Sequence, residues 1–150
     1  MKLFVDTSVL IPLFYGDHPH HDDSVRVLDN LGPDDIVLRG AHSLVETYST
    51  RTRMPGNYRT SADRARLFIA DLAGKFKTVA LMETEYAAML YRFAAIGIVG
   101  GAIYDALLSR CAMRADVDVL LTWNSRHFAQ LGEDVAKIVK TPVEFSMSSL

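Results

Sequence analysis

Cysteine is nearly missing from this chain of 150 residues: Cys111 is the single one. No intrachain disulfide framework can form, so the fold must rest on a core, and a reducing cytoplasm is the expected setting. Cys111 falls in a helical pattern and is expected as a buried packing residue rather than a nucleophile. Long apolar runs are missing too. The longest stay far below the roughly 18 residues of a membrane-spanning helix, so no membrane segment is expected. The N-terminus enters a strand-like run ending in an acid, which is not the pattern of a signal peptide. Neither Gly-x-x-x-x-Gly-Lys nor Gly-x-Gly-x-x-Gly occurs, which leaves a nucleotide cofactor unsupported. No excess of one charge sign stands out, the net being −2. An apolar fraction of 49% and a charged fraction of 23% suit an ordinary globular chain. At this length a single domain over residues 1–150, with a real core, is expected.

The small net charge hides an asymmetry. Residues 1–50 carry three cations against eight acids. Residues 51–77 carry seven cations (Arg51, Arg53, Arg59, Arg64, Arg66, Lys75, Lys77) against Asp63 and Asp71. A locally basic segment in a mildly acidic chain suggests a polyanion or an acidic partner; the plainer reading is a solvated helix face laced with salt bridges.

Short apolar runs alternate with helix-period segments. Leu3–Val5, Asp35–Leu38, Phe76–Leu81 and Val117–Leu121 read as strands, being too short for helices and rich in β-branched residues. Ile138–Val139 or Val143–Phe145 supplies a fifth at an edge. Between them, Asp22–Leu31, Ala41–Thr52, Ser61–Leu72, Glu83–Phe93 and Ala102–Arg114 show helical spacing. Ser61 suits an N-cap, Met54-Pro55-Gly56-Asn57 is a break, and Gly97 and Gly100-Gly101 interrupt the pattern before residue 105. The alternation predicts an α/β fold: a three-layer α/β/α sandwich around a mostly parallel sheet of four to five strands.

Three acids abut or interrupt these buried stretches: Asp6 after Leu3-Phe4-Val5, Glu46 in Leu44-Val45-Glu46, and Asp105 in Ile103-Tyr104-Asp105-Ala106-Leu107. Asn124 follows the fourth strand. An ionised carboxylate in such a place is costly unless a cation or hydrogen bonds compensate it. In parallel sheets, ligands gather beyond the C-terminal strand ends, so the four polar groups are expected to converge there. Hard Mg²⁺ or Mn²⁺ ions prefer oxygen ligands, and Mg²⁺ takes few protein carboxylates, filling its octahedron with water and substrate phosphate oxygens. Asp6 and Asp105 are the candidate direct ligands. Glu46 is a third ligand or the group that orients the attacking water, and Asn124 suits a contact through water. Thr7 and Ser8 are candidates for steadying Asp6 or the substrate phosphate, and Arg51 and Arg53 for holding a nucleic-acid backbone.

These residues resemble a known family. Val5-Asp6-Thr7-Ser8-Val9-Leu10, the helix of Glu46, Tyr104-Asp105-Ala106-Leu107-Leu108 and Leu121-Thr122-Trp123-Asn124-Ser125-Arg126-His127-Phe128 look like the motifs of PIN-domain ribonucleases. The segment Glu46 to Pro55 looks like the VapC toxins of VapBC toxin–antitoxin modules. The likeness spans about residues 2–145. It implies a Mg²⁺- or Mn²⁺-dependent endoribonuclease, an inhibitory VapB antitoxin, a homodimer, and tRNA or rRNA as a target. Two positions depart from the pattern: Asn124 and His127 stand where the family often carries Asp, so one bound metal is expected rather than two.

Other classes fit less well. A phospho-accepting receiver needs an acidic pair near the first strand, which Lys2-Leu3-Phe4-Val5 does not offer. A haloacid-dehalogenase-type phosphatase needs an aspartate two residues after Asp6, where Ser8 stands. A PIN-like protein that binds RNA with weakened catalysis is the main alternative. His18, His20 and His21, among Asp17, Asp22 and Asp23, lack the paired spacing of a zinc site and read as a solvated loop and helix start. Trp123 reads as a packing or interface residue.

Overall fold

A computed structural model describes residues 1–148. Five strands, β1 (Lys2–Val5), β2 (Ile36–Gly40), β3 (Lys77–Val79), β4 (Val119–Leu121) and β5 (Val139–Lys140), form one sheet in the order β3-β2-β1-β4-β5. Every described pairing is parallel. The helices are α1 (Thr7–Leu10), α2 (His21–Asp29), α3 (Ala41–Arg53), α4 (Ala62–Lys75), α5 (Glu83–Ala95), α6 (Ala102–Ala115), α7 (Ser125–Ala129), α8 (Glu133–Ala136) and α9 (Pro142–Ser148). No helix among the described residues is long and apolar enough to cross a membrane.

Alternation along the strands sorts the core into two halves. Phe4 and Leu120 point to one face, where they meet Met89 and Phe93 of α5, Leu108 and Ala112 of α6, and Phe128 of α7. Leu3, Val5, Val119 and Leu121 point to the other, where they meet Val9 and Leu10 of α1, Val27 of α2, Leu72 of α4 and Phe145 of α9. Helices therefore cover both faces, giving the three-layer α/β/α sandwich expected of alternating strands and helices. Each fully buried Leu or Phe contributes roughly 1.5–3 kcal/mol. Cys111 is one of the packing residues, at 3% exposure, and burial pushes its thiol up to about 11.

Several element ends differ from the sequence reading. Asp35 lies before β2, because its carboxylate takes the N-terminal ammonium at 2.8 Å and the Gly32 N–H at 2.8 Å. Asp118 lies before β4, where its carboxylate accepts the Lys2 N–H at 2.7 Å. The third strand is shorter than Phe76–Leu81, and the fifth is Val139–Lys140. Val143–Phe145 lies in α9, whose start is fixed by Glu144, which accepts the Thr141 N–H at 2.7 Å.

Two features aim the sheet at a site. From β1 the order runs one way to β2 and β3 and the other way to β4 and β5, so the topological switch point lies between β1 and β4. Between β2 and α3, Gly40 lets α6 come close: a Cβ there would stand 2.6 Å from Leu108 Cδ2. Leu108 lies nearly one turn beyond Asp105 on α6.

Candidate active site

Asp6 sits at the switch point. Its N–H donates to the Leu121 carbonyl at 2.9 Å, which ties the end of β1 to the end of β4. The side chain is 3% exposed. Its Oδ2 accepts from Ser8 Oγ at 2.6 Å, from Thr122 Oγ1 at 2.8 Å and from the Ser8 N–H at 3.3 Å, the last making Asp6 the N-cap of α1. Burial nonetheless raises its pKa above the ordinary carboxylate value, against the pull of Ser8 and Thr122.

Glu46 comes from the second turn of α3. Its Oε2 accepts from Thr7 Oγ1 at 2.8 Å. Burial raises its pKa as well; the Thr7 bond and His42 oppose that, and the Asp6 charge adds to it. Asp105 comes from the first turn of α6 with its side chain 25% exposed. Burial, then the charges of Asp6 and Glu46, push it up to about 6, with His127 opposing. His127 Nδ1 lies 3.5 Å from Asp105 Oδ2. Glu46 and Asp105 therefore both feel the Asp6 charge. Asn124 is exposed at the start of α7. Its side chain makes no capping bond, and its N–H donates to Thr122 Oγ1 at 3.0 Å.

One pocket of about 430 Å³ is lined by Asp6, Thr7, Ser8, Glu46, Asp105 and Asn124. His18, His20 and Trp123 line it as well, and among the described residues no Lys or Arg does. A second pocket of about 410 Å³ shares Thr7, Glu46 and Thr50 and adds His42, Arg53 and Tyr104. His42 is stacked on Tyr104 with 4.9 Å between ring centroids. Among the described residues no three His, Cys, Asp or Glu side chains form a ready-made metal cage. The donor set nonetheless fits a hard divalent cation: carboxylate oxygens with raised pKa values, no Lys or Arg among the described lining residues to neutralise them, and room for water ligands.

Asp6, Glu46, Asp105, Asn124, Thr7 and Ser8 thus meet, and Arg53 joins them at the edge. Arg51 does not. Glu46, Thr50 and Arg53 share one face of α3, at helical spacing. Residue 51 falls with Ser43 and Thr47 on the inner face, both of which are fully buried. Its guanidinium lies 3.7 Å from the centre of the Phe68 ring, and its Nη2 donates to Thr60 Oγ1 at 3.3 Å.

Sequence reasoning passed over Thr122, which is fully buried against Asp6. The parallel pairing of Val5 with Leu121 was the signal that places it there. From the sequence, the histidine segment is expected as a solvated loop and helix start and Trp123 as a packing or interface residue. The loop before α2 and the packing of Trp123 against the core are as expected; what spacing does not show is that His18, His20 and Trp123 also line the acid pocket, where His20 stacks on the Trp123 indole and Trp123 Nε1 donates to Ser24 Oγ at 3.1 Å.

The fold and this cluster of acids define the class: residues 3–134 match the PIN domain family, and the chain belongs to it. Within that family it is similar to Ribonuclease VapC40 of Mycobacterium tuberculosis H37Rv, at 36% identity over 77% of this chain and 81% of the relative. It is 38% identical to Ribonuclease VapC27 of the same organism over 73% of this chain and 76% of the relative. In fold it resembles VapBC-1 from nontypeable Haemophilus influenzae, with a TM-score of 0.69 and 16% identity over 95% of this chain and 99% of that one.

Proposed function

We propose that this protein is a Mg²⁺- or Mn²⁺-dependent endoribonuclease and the toxin of a VapBC-type toxin–antitoxin module. The observation that carries the reading is the convergence of Asp6, Glu46 and Asp105 on one pocket that, among the described residues, no Lys or Arg lines. Its relatives VapC40 and VapC27 carry the name ribonuclease.

Asp6 and Asp105 would hold the ion, with Glu46 and Asn124 at its periphery. A bound divalent cation would polarise the phosphoryl oxygen, lower the pKa of water and neutralise the leaving oxygen. The protein's own part is positional. Ser8 and Thr122 fix Asp6 through Oδ2. Thr7 holds Glu46 by one oxygen, so that the carboxylate faces the pocket and orients the attacking water. Arg53 contacts the RNA backbone from the adjoining pocket, through charge and without reading sequence. A tRNA or rRNA substrate, a VapB-type antitoxin and a homodimeric state complete the proposal.

The experiment is cleavage of structured RNAs by purified protein in Mg²⁺ or Mn²⁺, with EDTA and Asp6→Asn as controls. Cleavage that stops under both controls is expected. Cleavage that survives both rules the assignment out. One observation favours a weakened, RNA-binding version of the same site: His127 stands 3.5 Å from Asp105 and competes for that carboxylate. A Mn²⁺ titration at neutral pH separates the two, because the weakened version binds RNA without binding the ion.

A further inference from the structure

The mechanism just described uses only the acidic wall of the pocket. The same pocket is also lined by rings. His20 lies over the Trp123 indole with ring centroids 3.8 Å apart and planes 11° from parallel. The His18 ring stands 5.6 Å from that of His20. All three line the pocket that holds Asp6, Glu46 and Asp105.

This wall is rigidly tied. Trp123 Nε1 donates to the hydroxyl of Ser24, a fully buried residue, at 3.1 Å. The Trp123 N–H donates to Ser8 Oγ at 3.0 Å, and that hydroxyl donates to Asp6 Oδ2 at 2.6 Å. The Ser8 hydroxyl therefore ties the ring platform to the candidate metal ligand, alongside Thr122, the residue before Trp123, whose hydroxyl donates to the same Asp6 oxygen. The segment carrying the histidines is anchored at both ends. Tyr58 OH donates to Asp17 Oδ2 at 2.6 Å, and His21 Nδ1 lies 2.7 Å from the Pro12 carbonyl. Within it, the His20 N–H donates to His18 Nδ1 at 3.1 Å. That bond makes Nδ1 an acceptor and leaves the ring proton on Nε2.

Charge decides what such a wall can hold. Among the described residues no Lys or Arg lines the pocket, so no permanently charged side chain there attracts a phosphate. Flat π faces with polar ring edges suit a nucleobase, since every base offers a π face and hydrogen-bonding edges. The cation of the neighbourhood, Arg53, lies in the adjoining pocket beyond Glu46 and is placed to take the backbone. The volume of about 430 Å³ falls within the roughly 300–1,000 Å³ of pockets that enclose small organic ligands.

We infer that His20, stacked on Trp123 and flanked by His18, seats an unpaired nucleobase beside the scissile phosphate, so that residues 18–20 form the base-selecting wall. This deepens the nuclease reading and rests on it. Trp123 is the chain's single tryptophan, so its emission reports directly on the platform.

The test titrates the protein, in Mg²⁺, with short single-stranded oligomers of adenylate, of uridylate, and of abasic ribose phosphate. Binding is followed in parallel by anisotropy of labelled RNA. The expected result is a saturable change in Trp123 emission with the base-bearing oligomers and none with the abasic one. His20→Ala weakens base-bearing RNA by roughly ten-fold and leaves abasic RNA unchanged, while His20→Phe restores the loss. Equal affinity of the unaltered protein for abasic and base-bearing RNA overturns the inference, and so does a silent His20→Ala. Cleavage of the same oligomers separates the two readings. Cleavage without base dependence removes the platform and leaves the nuclease. Base-dependent binding without cleavage removes the nuclease and leaves a base seat. Binding of none of these oligomers removes the platform.

Discussion

The Thr122 hydroxyl donates to Asp6 Oδ2 at 2.8 Å, although 116 positions separate the two residues. Thr122 Oγ1 in turn accepts the Asn124 N–H at 3.0 Å, so one side chain links the end of β1 to the start of α7. Thr122→Val keeps the shape and removes both bonds. Hydrogen bonds to charged groups contribute about 1.5–3 kcal/mol, and a loss of that order is expected in urea unfolding at neutral pH. RNA cleavage falls with it, because Asp6 and Asn124 lose their common brace, and Thr122→Ser recovers both. An unchanged midpoint and rate in Thr122→Val would show that the brace does nothing.

Asp105 gives a pH dependence of definite sign. Its folded-state pKa of about 6 lies above the ordinary value of 3.8. The native state therefore binds this proton more tightly than the unfolded chain does, and the contribution is favourable at low pH and lost as pH rises from about 4 to about 6. The metal-free protein at pH 7.5 carries the full penalty, which is no more than about 3 kcal/mol. Asp105→Asn is expected to raise the Tm of the metal-free protein at pH 7.5, to leave it nearly unchanged at low pH, and to abolish cleavage. Differential scanning fluorimetry at the two pH values, with EDTA present, decides the matter. A lower Tm for Asp105→Asn at pH 7.5 contradicts the burial argument.

How much of this was legible beforehand depended on whether local pattern or tertiary contact fixed each residue. Asp6, Glu46 and Asp105 were readable because an acid against an apolar run is a local anomaly. Arg53 was readable as a cation, but Arg51 was readable with it only while the helical period was ignored: Glu46, Thr50 and Arg53 share a face that residue 51 does not. The strand centres were readable and their ends were not, because Asp35 and Asp118, just before β2 and β4, are drawn to Met1 and Lys2 at the N-terminus. His18 and His20 carry no local sign of their role. Their position follows from the Trp123 stack, the Tyr58–Asp17 bond and the His21–Pro12 contact, and none of these shows in spacing.

The two arginines of α3 should behave oppositely. Arg51 is half-buried on Phe68, within 5.3 Å of the Tyr15 ring centre and 5.6 Å of that of Phe14, so Arg51→Ala removes packing as well as charge. A lower Tm is expected, with RNA affinity per folded molecule close to normal. Arg53 is exposed beside the second pocket. Arg53→Ala should leave the Tm unchanged, weaken RNA binding for all sequences alike, and reduce the salt slope of log K by about 1. Affinities measured across a salt series, with Tm recorded for each variant, distinguish the two. The reverse assignment would follow if Arg51→Ala changed the salt slope and Arg53→Ala did not.

Gly40 tests whether the approach of α6 sets the site. Its φ is ordinary, so the requirement for glycine is one of space: an added Cβ would stand 2.6 Å from Leu108 Cδ2 and 3.6 Å from the Phe4 ring. Leu108 and Phe4 are both fully buried in the same half of the core and have nowhere to retreat. Gly40→Ala should therefore cost about 1–3 kcal/mol as an overpacking change. Any relief gained by lifting α6 moves Asp105, three residues before Leu108, away from Asp6. Cleavage should then fall further than the loss of folded protein explains. The rescue is specific: trimming the obstructing side chain in Gly40→Ala/Leu108→Val should recover both stability and activity relative to Gly40→Ala alone. Leu108→Val by itself should only destabilise, by the usual cost of a small cavity. If the double variant is no better than Gly40→Ala, the close approach of β2 and α6 is not what positions Asp105.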